Sequence, residues 1–245
     1  MFSSKYNELR SQKRPFFSNY YFTKLGVETI YEEYDGSIIA LKPECNFYRL
    51  YFATINLKSM KKVFYSLPKD RDIFCEILTK NTIEEPLQKV LQNIFQLETI
   101  YQKAFKKISL TGQKTLINNV VDCDLIYKKI YDTFNVYYDH LMDIDELKFL
   151  AKNNNIVTIY DKNILTSFIV FKIQGKKVYL NHIANYGSKQ NLLDLWNKFY
   201  LMLNNLEISY IDLWFNTQYD KAVNMYNMEG FNSLPLKNYI YKFIH

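Results

Sequence analysis

The decisive stretch of this chain is Ser209–Phe231, which reads SYIDLWFNTQYDKAVNMYNMEGF. Its first seven residues are largely apolar and predict a buried strand that ends at Asn216. Ala222 and Tyr226 follow, four residues apart, so a helix over this region carries both side chains on one face. The stretch therefore predicts a strand followed by a short helix.

The residues after this helix predict how the chain returns to the sheet. Gly230 suits the left-handed conformation that commonly ends a helix, and Phe231 directly after it can fold back onto that helix. A last apolar run, Tyr239–Ile244, predicts a closing strand. An ordinary strand–helix–strand corner with an apolar tyrosine has the same pattern, so these residues alone leave a purely structural role open.

The residues before this stretch alternate short apolar runs with turns. The cluster at 161–163 (Asp-Lys-Asn) separates two apolar runs and predicts a hairpin, and a second turn at 174–177 leads to a third strand, Val178–Ala184. A loop at 185–191 precedes Leu192–Leu206, where apolar residues recur with helical spacing. The second half therefore predicts the order strand, strand, strand, loop, helix, strand, helix, strand.

This order, together with Asn216, Ala222, Tyr226 and the Gly-Phe pair at 230–231, resembles the C-terminal part of the GNAT superfamily, the GCN5-related N-acyltransferases. The resemblance implies an α/β (α+β) fold and an acyl-CoA-dependent N-acyltransferase that moves an acetyl or other acyl group to a small-molecule amine acceptor. It also implies acetyl-CoA or another acyl-CoA as co-substrate. Tyr226 holds the position of the family's general acid, which donates a proton to the departing thiolate.

The resemblance further implies that the loop at 185–191 binds the pyrophosphate of acyl-CoA, because amides at a helix N-terminus attract anions. The family pattern has a second glycine or alanine, and an Arg or Gln three residues before the first glycine; this chain lacks both features. A plain strand–helix turn is therefore an alternative. The expected cofactor-binding residues are Ile183, Ala184, Gly187, Ser188, Lys189, Asn191 and Asn216.

A general base is not evident from spacing. His182, in the third predicted strand, is a candidate because the unperturbed pKa of histidine lies near neutrality, although a hydrogen-bonded structural histidine has the same pattern. Asp139, His140 and Asp212 are weaker candidates. Backbone N–H groups of the strand at 178–184 are expected to polarise the thioester carbonyl.

The positive charge of the chain lies in its first half. The 245 residues include 31 Lys/Arg and 25 Asp/Glu, a net charge of +6. Residues 1–115 hold 18 of the Lys/Arg and 12 of the Asp/Glu residues. The remainder holds 13 of each (31 − 18 and 25 − 12), so the whole excess of positive charge lies in the first half. All four arginines (10, 14, 49 and 71) lie there too. One interpretation is an anionic acceptor, such as a nucleotide-linked amino sugar, with Arg49 or Arg71 facing Tyr226; a solvated basic surface is the alternative.

The first half resembles a degenerate copy of the second. Ile30–Gly36 parallels 159–163, and Phe47–Ile55, which Asn56 follows, parallels Val178–Ala184 with Asn185 after it. We therefore predict two lobes, each a mixed, mostly antiparallel sheet flanked by helices. The predicted domains are a degenerate GNAT-like N-terminal lobe over 1–115 and a GNAT-like acyl-CoA-binding catalytic domain over 116–245, with a linker at 109–121.

Further elements are predicted from local pattern. The first half contains helices over Leu57–Leu67 and from Pro86 to about Lys107, with a strand at Ile73–Leu78 between them. The second half opens with helices over Asp122–Phe134 and Asp143–Lys152.

Composition narrows the class of protein. The three cysteines show no metal-ligand spacing, which predicts a reducing, cytoplasmic location without structural zinc. No apolar run approaches the roughly 20 residues of a membrane helix, and the basic residues form no dense stripe, which argues against membrane and nucleic-acid partners. Two alternatives remain open: a catalytically inactive GNAT-like binding or scaffold protein, and a Fem-like aminoacyl-tRNA-dependent transferase. Oligomeric state is not indicated.

Overall fold

The computed structural model of this chain describes residues 2–12, 14–21, 25–109 and 119–244. Over these residues it contains seven helices and eleven strands. The chain forms two compact units. Unit 1 comprises Met1–Gln102, Asn216–Tyr219 and Pro235–His245, and unit 2 comprises Lys103–Phe215 and Asp220–Leu234.

The first half of the chain supplies three helices and six strands. The helices are α1 (Phe2–Ser11), α2 (Leu57–Tyr65) and α3 (Glu85–Gln92). The strands are β1 (Phe17–Ser18), β2 (Ile30–Tyr34), β3 (Ser37–Pro43), β4 (Phe47–Thr54), β5 (Asp72–Thr79) and β6 (Phe95–Lys107).

The second half supplies four helices and five strands. The helices are α4 (Cys123–Thr133), α5 (Ile144–Lys152), α6 (Lys189–Asn205) and α7 (Asp220–Met228). The strands are β7 (Ile156–Asp161), β8 (Ile164–Gln174), β9 (Lys177–Asn185), β10 (Tyr210–Asn216) and β11 (Asn232–Phe243).

The same succession of elements occurs twice along the chain. It is β2-β3-β4-α2-β5-α3-β6 in the first half and β7-β8-β9-α6-β10-α7-β11 in the second. The first three strands of each copy are antiparallel neighbours, whereas the strand after the next helix pairs in parallel with the third strand. The expected α/β (α+β) fold, with two lobes of mostly antiparallel sheet flanked by helices, is therefore confirmed.

The last strand of each copy contributes to the other copy's unit. The strand order is β2-β3-β4-β5-β11-β6 in unit 1 and β6-β10-β9-β8-β7 in unit 2. β11 pairs antiparallel with β5 from Lys237 to Lys242, and the Ile108 N–H after β6 donates to the Ser209 carbonyl before β10 at 2.9 Å. The division predicted between residues 115 and 116, and most of the predicted linker, fall outside the described residues, so that division stays a prediction.

Most predicted elements are present, and one is wrong. The helix predicted from Pro86 to Lys107 ends at Gln92, and Phe95–Lys107 is the long strand β6. The sequence of β6 is rich in aromatic and β-branched residues, which favour strands. Apolar residues with helical spacing continue from α3 into the start of β6, which is why the sequence pattern predicts a longer helix. The strand forms because β6 pairs with β10 and β11, which lie far away in the sequence.

Capping explains where the other helices begin. Asp122 and Asp143, which precede α4 and α5, accept hydrogen bonds from the Leu125 and Glu146 N–H groups through their side chains. Such caps typically contribute about 1 kcal/mol. After α7, Gly230 adopts φ +76°, which confirms the left-handed helix end expected there.

In unit 2 the sheet has an apolar cluster on each face. One cluster packs α6 and α7 around Trp196, Phe199 and Tyr226, and Ala222 packs against the same cluster. The other packs α4 and α5 around Ile130 and Leu147. Unit 2 is therefore a three-layered body, and the strands that carry the candidate site lie in its middle layer.

Candidate active site

The parallel strands β9 and β10 separate halfway along their length. Their ladder pairs Lys177 with Tyr210 and continues to Leu180 and Leu213, and no further pair forms among the described residues. β9 nevertheless continues to Asn185. Beyond Leu180 and Leu213 the facing edges of β9 and β10 therefore form no ladder with each other.

A β-bulge in β9 lies where the opening begins. β8 pairs Phe171 with Leu180 but Val170 with His182, so Asn181 is the extra residue. A bulge bends its strand and interrupts the alternation of side chains. Leu180 and Ile183 both pack on the α6–α7 side, whereas Ala184 packs on the α4–α5 side. The two expected cofactor-binding residues Ile183 and Ala184 therefore lie on opposite faces of the sheet.

Tyr226 lies in α7 and is buried against Phe215 of β10 and Phe231, which directly follows Gly230. Its ring centroid is 5.8 Å from that of Phe215 and 5.6 Å from that of Phe231. Burial raises the pKa of its hydroxyl, and in the described part of the chain this hydroxyl makes no hydrogen bond. It therefore stays protonated near neutral pH, the state that a proton donor requires.

His182 is buried, and its side chain is uncharged at neutral pH. Its side chain is 2% exposed, its ring lies 4.8 Å from that of Phe134, and Nε2 has no hydrogen-bond partner among the described residues. Burial, with a smaller contribution from Lys172, lowers its pKa to about 4. A base of this strength is poorly matched to proton transfer at pH 7.

The loop before α6 binds its own side chains through its amides. The Ser188 N–H donates to Asn191 Oδ1 at 2.7 Å, and the Asn191 N–H donates to Ser188 Oγ at 3.2 Å, which together form a capping box. The Gly187 N–H donates to Asn185 Oδ1 at 3.3 Å, and the Tyr186 N–H to the Thr166 carbonyl at 2.7 Å. These amides reach a phosphate only after they leave their present acceptors.

The space beside Gly187 is also occupied. A Cβ atom at this position would lie 2.5 Å from Asn191 Oδ1 and 3.0 Å from Thr166 Cβ. The absence of a side chain at Gly187 therefore makes room for the capping amide of Asn191. Lys189 is exposed at the start of α6. Pyrophosphate binding by this loop stays a prediction, and the Asn191 side chain occupies the space beside Gly187.

Two other predicted site residues, Asn216 and Asp212, form hydrogen bonds or ion pairs with nearby protein groups. Asn216 is buried, and its Oδ1 accepts from the Gln218 N–H at 2.9 Å, which shapes the turn between β10 and α7. Asp212 is buried, and its carboxylate forms ion pairs with Lys103 at 3.2 Å and Lys177 at 3.3 Å. Of the remaining base candidates, Asp139 accepts from the Asn135 N–H and His140 is exposed with φ 47°.

The arginines proposed for acceptor binding differ in their surroundings. Arg49 is 6% exposed, pairs with Glu76 and lies 3.7 Å from Glu44. Burial lowers its pKa, and its charge is compensated within unit 1. Arg71 is partly exposed, with its guanidinium carbon 5.3 Å from the Tyr48 ring centroid. Its predicted role toward an anionic acceptor remains a prediction.

Sequence reasoning missed three residues around the opening. Asn181 forms the bulge. Trp214, the first residue of β10 beyond the ladder, is 38% exposed despite its size. The Tyr186 hydroxyl lies 2.5 Å from Thr133 Oγ1, and Lys129 Nζ lies 4.5 Å from its ring centroid, which ties the loop to α4. An unpaired bulge has no local sequence signal, but an exposed tryptophan at a strand end could have been noted.

Solved structures resemble this chain over most of its length. A GCN5-related N-acetyltransferase from Sphaerobacter thermophilus matches with a TM-score of 0.58 and 7% identity, over 84% of this chain and 76% of the other. A GCN5-related N-acetyltransferase from Kribbella flavida matches with a TM-score of 0.51 and 12% identity, over 89% and 90%. This protein has the GNAT fold.

The tandem arrangement has a solved counterpart as well. A tandem GNAT protein from the clavulanic acid biosynthesis pathway matches with a TM-score of 0.50 and 7% identity, over 84% of this chain and 78% of the other. No family model and no curated protein matches the sequence. At these identities the likeness establishes the GNAT fold, and the activity has to be argued from the site.

The described ranges of the chain contain no group of three or more His, Cys, Asp or Glu side chains that could hold a metal ion. No helix in the described part of the chain is long and apolar enough to cross a membrane.

Proposed function

We propose that this protein is an N-acyltransferase that takes its acyl group from acetyl-CoA or another acyl-CoA and transfers it to a small-molecule amine. The observation that carries the proposal is the opening between the parallel strands β9 and β10, which begins at Leu180 and Leu213 beside the bulge at Asn181. An extended chain with amide groups can pair with open strand edges through main-chain hydrogen bonds. The pantetheine arm of CoA is such a chain.

The residues around the opening have complementary roles in this proposal. A backbone N–H group of β9 beyond the bulge, at His182 or Ile183, would polarise the thioester carbonyl. Tyr226 would hold the proton that the departing thiolate takes up, because burial keeps its hydroxyl protonated. Trp214 would line the mouth of the opening, where its exposed ring can contact the acyl group or the acceptor.

The loop before α6 suits the diphosphate of CoA less well than the β9–β10 opening suits the pantetheine arm. The α6 N-terminus has the dipole and the lysine that favour an anion, yet the amides of Gly187 and Ser188 are bonded to Asn185 and Asn191. Binding of the diphosphate would therefore require Asn191 to change its rotamer. The loop thus makes the pantetheine arm the principal contributor to donor affinity.

The acceptor side follows from the two faces of β9. The cluster on the α6–α7 face contains Tyr226, the proposed proton donor to the thiolate, so the acceptor would approach from the face of α4 and α5, where Phe134 and His182 lie. An anionic amine such as an amino sugar nucleotide suits the net positive charge of the chain, +6. The proposal includes a cytoplasmic location.

Calorimetry and thermal unfolding with acetyl-CoA test the proposal. A ligand at 100 times its dissociation constant stabilises a protein by about 2.7 kcal/mol, which a thermal shift detects readily. We expect acetyl-CoA to bind, and acyl transfer to appear in a panel of amines that includes amino sugars and amino acids. Absence of binding at millimolar acetyl-CoA would overturn the proposal.

A second candidate function is a GNAT-like binding protein without catalysis. The observation that favours it is the capping box between Ser188 and Asn191, which occupies the anion-binding amides. A protein that binds acetyl-CoA but hydrolyses or transfers no acyl group with any amine of the panel would match this alternative.

A further inference from the structure

The first copy of the fold has a strand opening of its own, within unit 1. β4 and β5 are parallel, and their ladder runs from Phe47 and Asp72 to Leu50 and Cys75. β4 continues to Thr54 and β5 to Thr79 beyond that last pair. β4 and β5 hold the same places in the first copy as β9 and β10 hold in the second. This opening is therefore the counterpart of the opening between β9 and β10, where the acyl-CoA arm is proposed to bind.

The N-terminal segment of the chain fills this opening along β4. Phe17 and Ser18 form the short strand β1, which pairs antiparallel with Thr54 and Ala53. The Asn19 side chain continues the ladder, because its Oδ1 accepts from the Phe52 N–H at 2.6 Å and its Nδ2 donates to the Leu50 carbonyl at 2.8 Å. One carboxamide thus presents to β4 the acceptor and donor that a strand would present.

The same segment also binds β5, on the other side of the opening. Asn19 Nδ2 lies 3.4 Å from Cys75 Sγ. The Tyr21 hydroxyl accepts from the Leu78 N–H at 2.9 Å and donates to the Leu78 carbonyl at 2.6 Å. The segment therefore bridges the two separating strands and satisfies backbone groups on both.

Burial shows that the segment is built into the unit. Asn19 is 1% exposed, and Phe17 and Tyr20 are nearly as buried. Tyr20 packs with α1 residues Phe2 and Tyr6, at centroid distances of 4.9 and 5.2 Å. The opening in unit 1 is thus occupied by a chain in extended pairing, which is the shape and chemistry proposed for the donor arm in unit 2.

We propose that the β4–β5 opening is a second cleft for an extended, amide-bearing ligand such as the pantetheine arm of acyl-CoA, and that residues 17–21 close it in cis. The intact chain then takes acyl-CoA in unit 2 alone, and loosening the segment exposes a second site. The choice of acyl-CoA as ligand rests on the proposed function. The existence of the closed cleft rests on the contacts of Asn19 and Tyr21.

Amide hydrogen exchange in the double variant Asn19→Ala/Tyr21→Phe tests this. The change removes the side-chain groups that bond to Phe52 and Leu78, so we expect these two amides to exchange at least about tenfold faster than in the parent, because each loses its hydrogen bond. Addition of 5 mM acetyl-CoA, on the order of a saturating concentration for a weak site, is expected to slow them again. The matched control is Asn197→Ala/Tyr65→Phe, which removes the same groups from exposed positions.

Two results would overturn the proposal: unchanged exchange at Phe52 and Leu78 in the double variant, or faster exchange that acetyl-CoA leaves unaltered. If the double variant does not fold, Tyr21→Phe alone gives the same readout at Leu78, because this side chain is 46% exposed. Failure of the proposed function has a separate signature, since acetyl-CoA would then leave the exchange rates of the β9 amides at 182–184 unchanged in the parent protein.

Discussion

At the scale of single residues, Tyr226 combines features that separate a proton donor from a packing residue. Its ring is held by Phe215 and Phe231, while its hydroxyl makes no hydrogen bond in the described part of the chain. Tyr226→Phe keeps the ring and removes only the hydroxyl. We expect turnover to fall by about 10²–10⁴-fold, the usual contribution of a general acid, while acetyl-CoA affinity is unchanged.

The stability of this variant provides an internal check. Tyr226→Phe keeps the ring that packs against Phe215 and Phe231, so the melting temperature of the variant should stay close to that of the parent. The matched control is Tyr219→Phe, at a position that is 60% exposed. Equal turnover in Tyr226→Phe and the parent would make Tyr226 a core residue.

His182 makes a prediction about acid stability. Its pKa in the folded protein, about 4, lies below the roughly 6.5 expected when it is exposed. Protons therefore bind the unfolded state more tightly, and the contribution of neutral His182 to stability is present above pH 6.5 and lost as the pH falls toward 4. The shift corresponds to a loss on the order of 3 kcal/mol.

Urea unfolding at pH 7 and pH 4.5 measures this effect. We expect His182→Gln, which does not titrate, to lose less stability between the two pH values than the parent protein. His140→Gln is the matched control, because His140 is exposed. If the parent and the His182→Gln variant lose the same stability between pH 7 and pH 4.5, protonation of His182 does not contribute to acid destabilisation.

At the scale of elements, the N-terminus of α6 decides how well a CoA diphosphate binds. Asn191 Oδ1 accepts from the Ser188 N–H and fills the space beside Gly187. Asn191→Ala frees that amide, so we expect a tighter complex with acetyl-CoA by about three- to tenfold, at a cost of about 1 kcal/mol in helix capping.

S-acetyl-pantetheine, which lacks the diphosphate, is the ligand control for this variant. Its affinity should be the same for Asn191→Ala and the parent, as measured by calorimetry. Weaker binding of acetyl-CoA to the variant would instead mean that Asn191 itself contacts the diphosphate. Gly187→Val should weaken acetyl-CoA binding, since the added Cβ meets Asn191 and Thr166.

The elements also show how far the sequence alone could lead. The helix start at Asp143 and the glycine turn at Gly230 follow from local chemistry, and both are where the pattern predicts them. β6 was mistaken for a helix, because its identity depends on ladder partners far away in the chain. The capping of the α6 amides by Asn191 was missed for a related reason: the spacing Gly-Ser-x-x-Asn suits both an anion site and a capping box.

At the scale of the whole molecule, neither half of the sequence holds a complete sheet. β10 in unit 2 has β6 as a neighbour, and β5 in unit 1 has β11, so each unit depends on the last strand of the other copy. A fragment over 116–245 lacks β6 and leaves the edge of β10 unpaired. Unpaired strand edges promote aggregation.

We therefore expect the fragment 116–245, expressed alone, to be largely insoluble, because β10 loses the bonds that β6 makes beside Ser209. Co-expression with a fragment over 1–115 should restore a soluble complex, since each fragment then regains its missing strand. The measurement is the soluble yield and the monodispersity of each sample. A fragment 116–245 that is soluble, cooperatively folded and fully active alone would show that β6 is dispensable, and that the second copy is a self-sufficient catalytic domain.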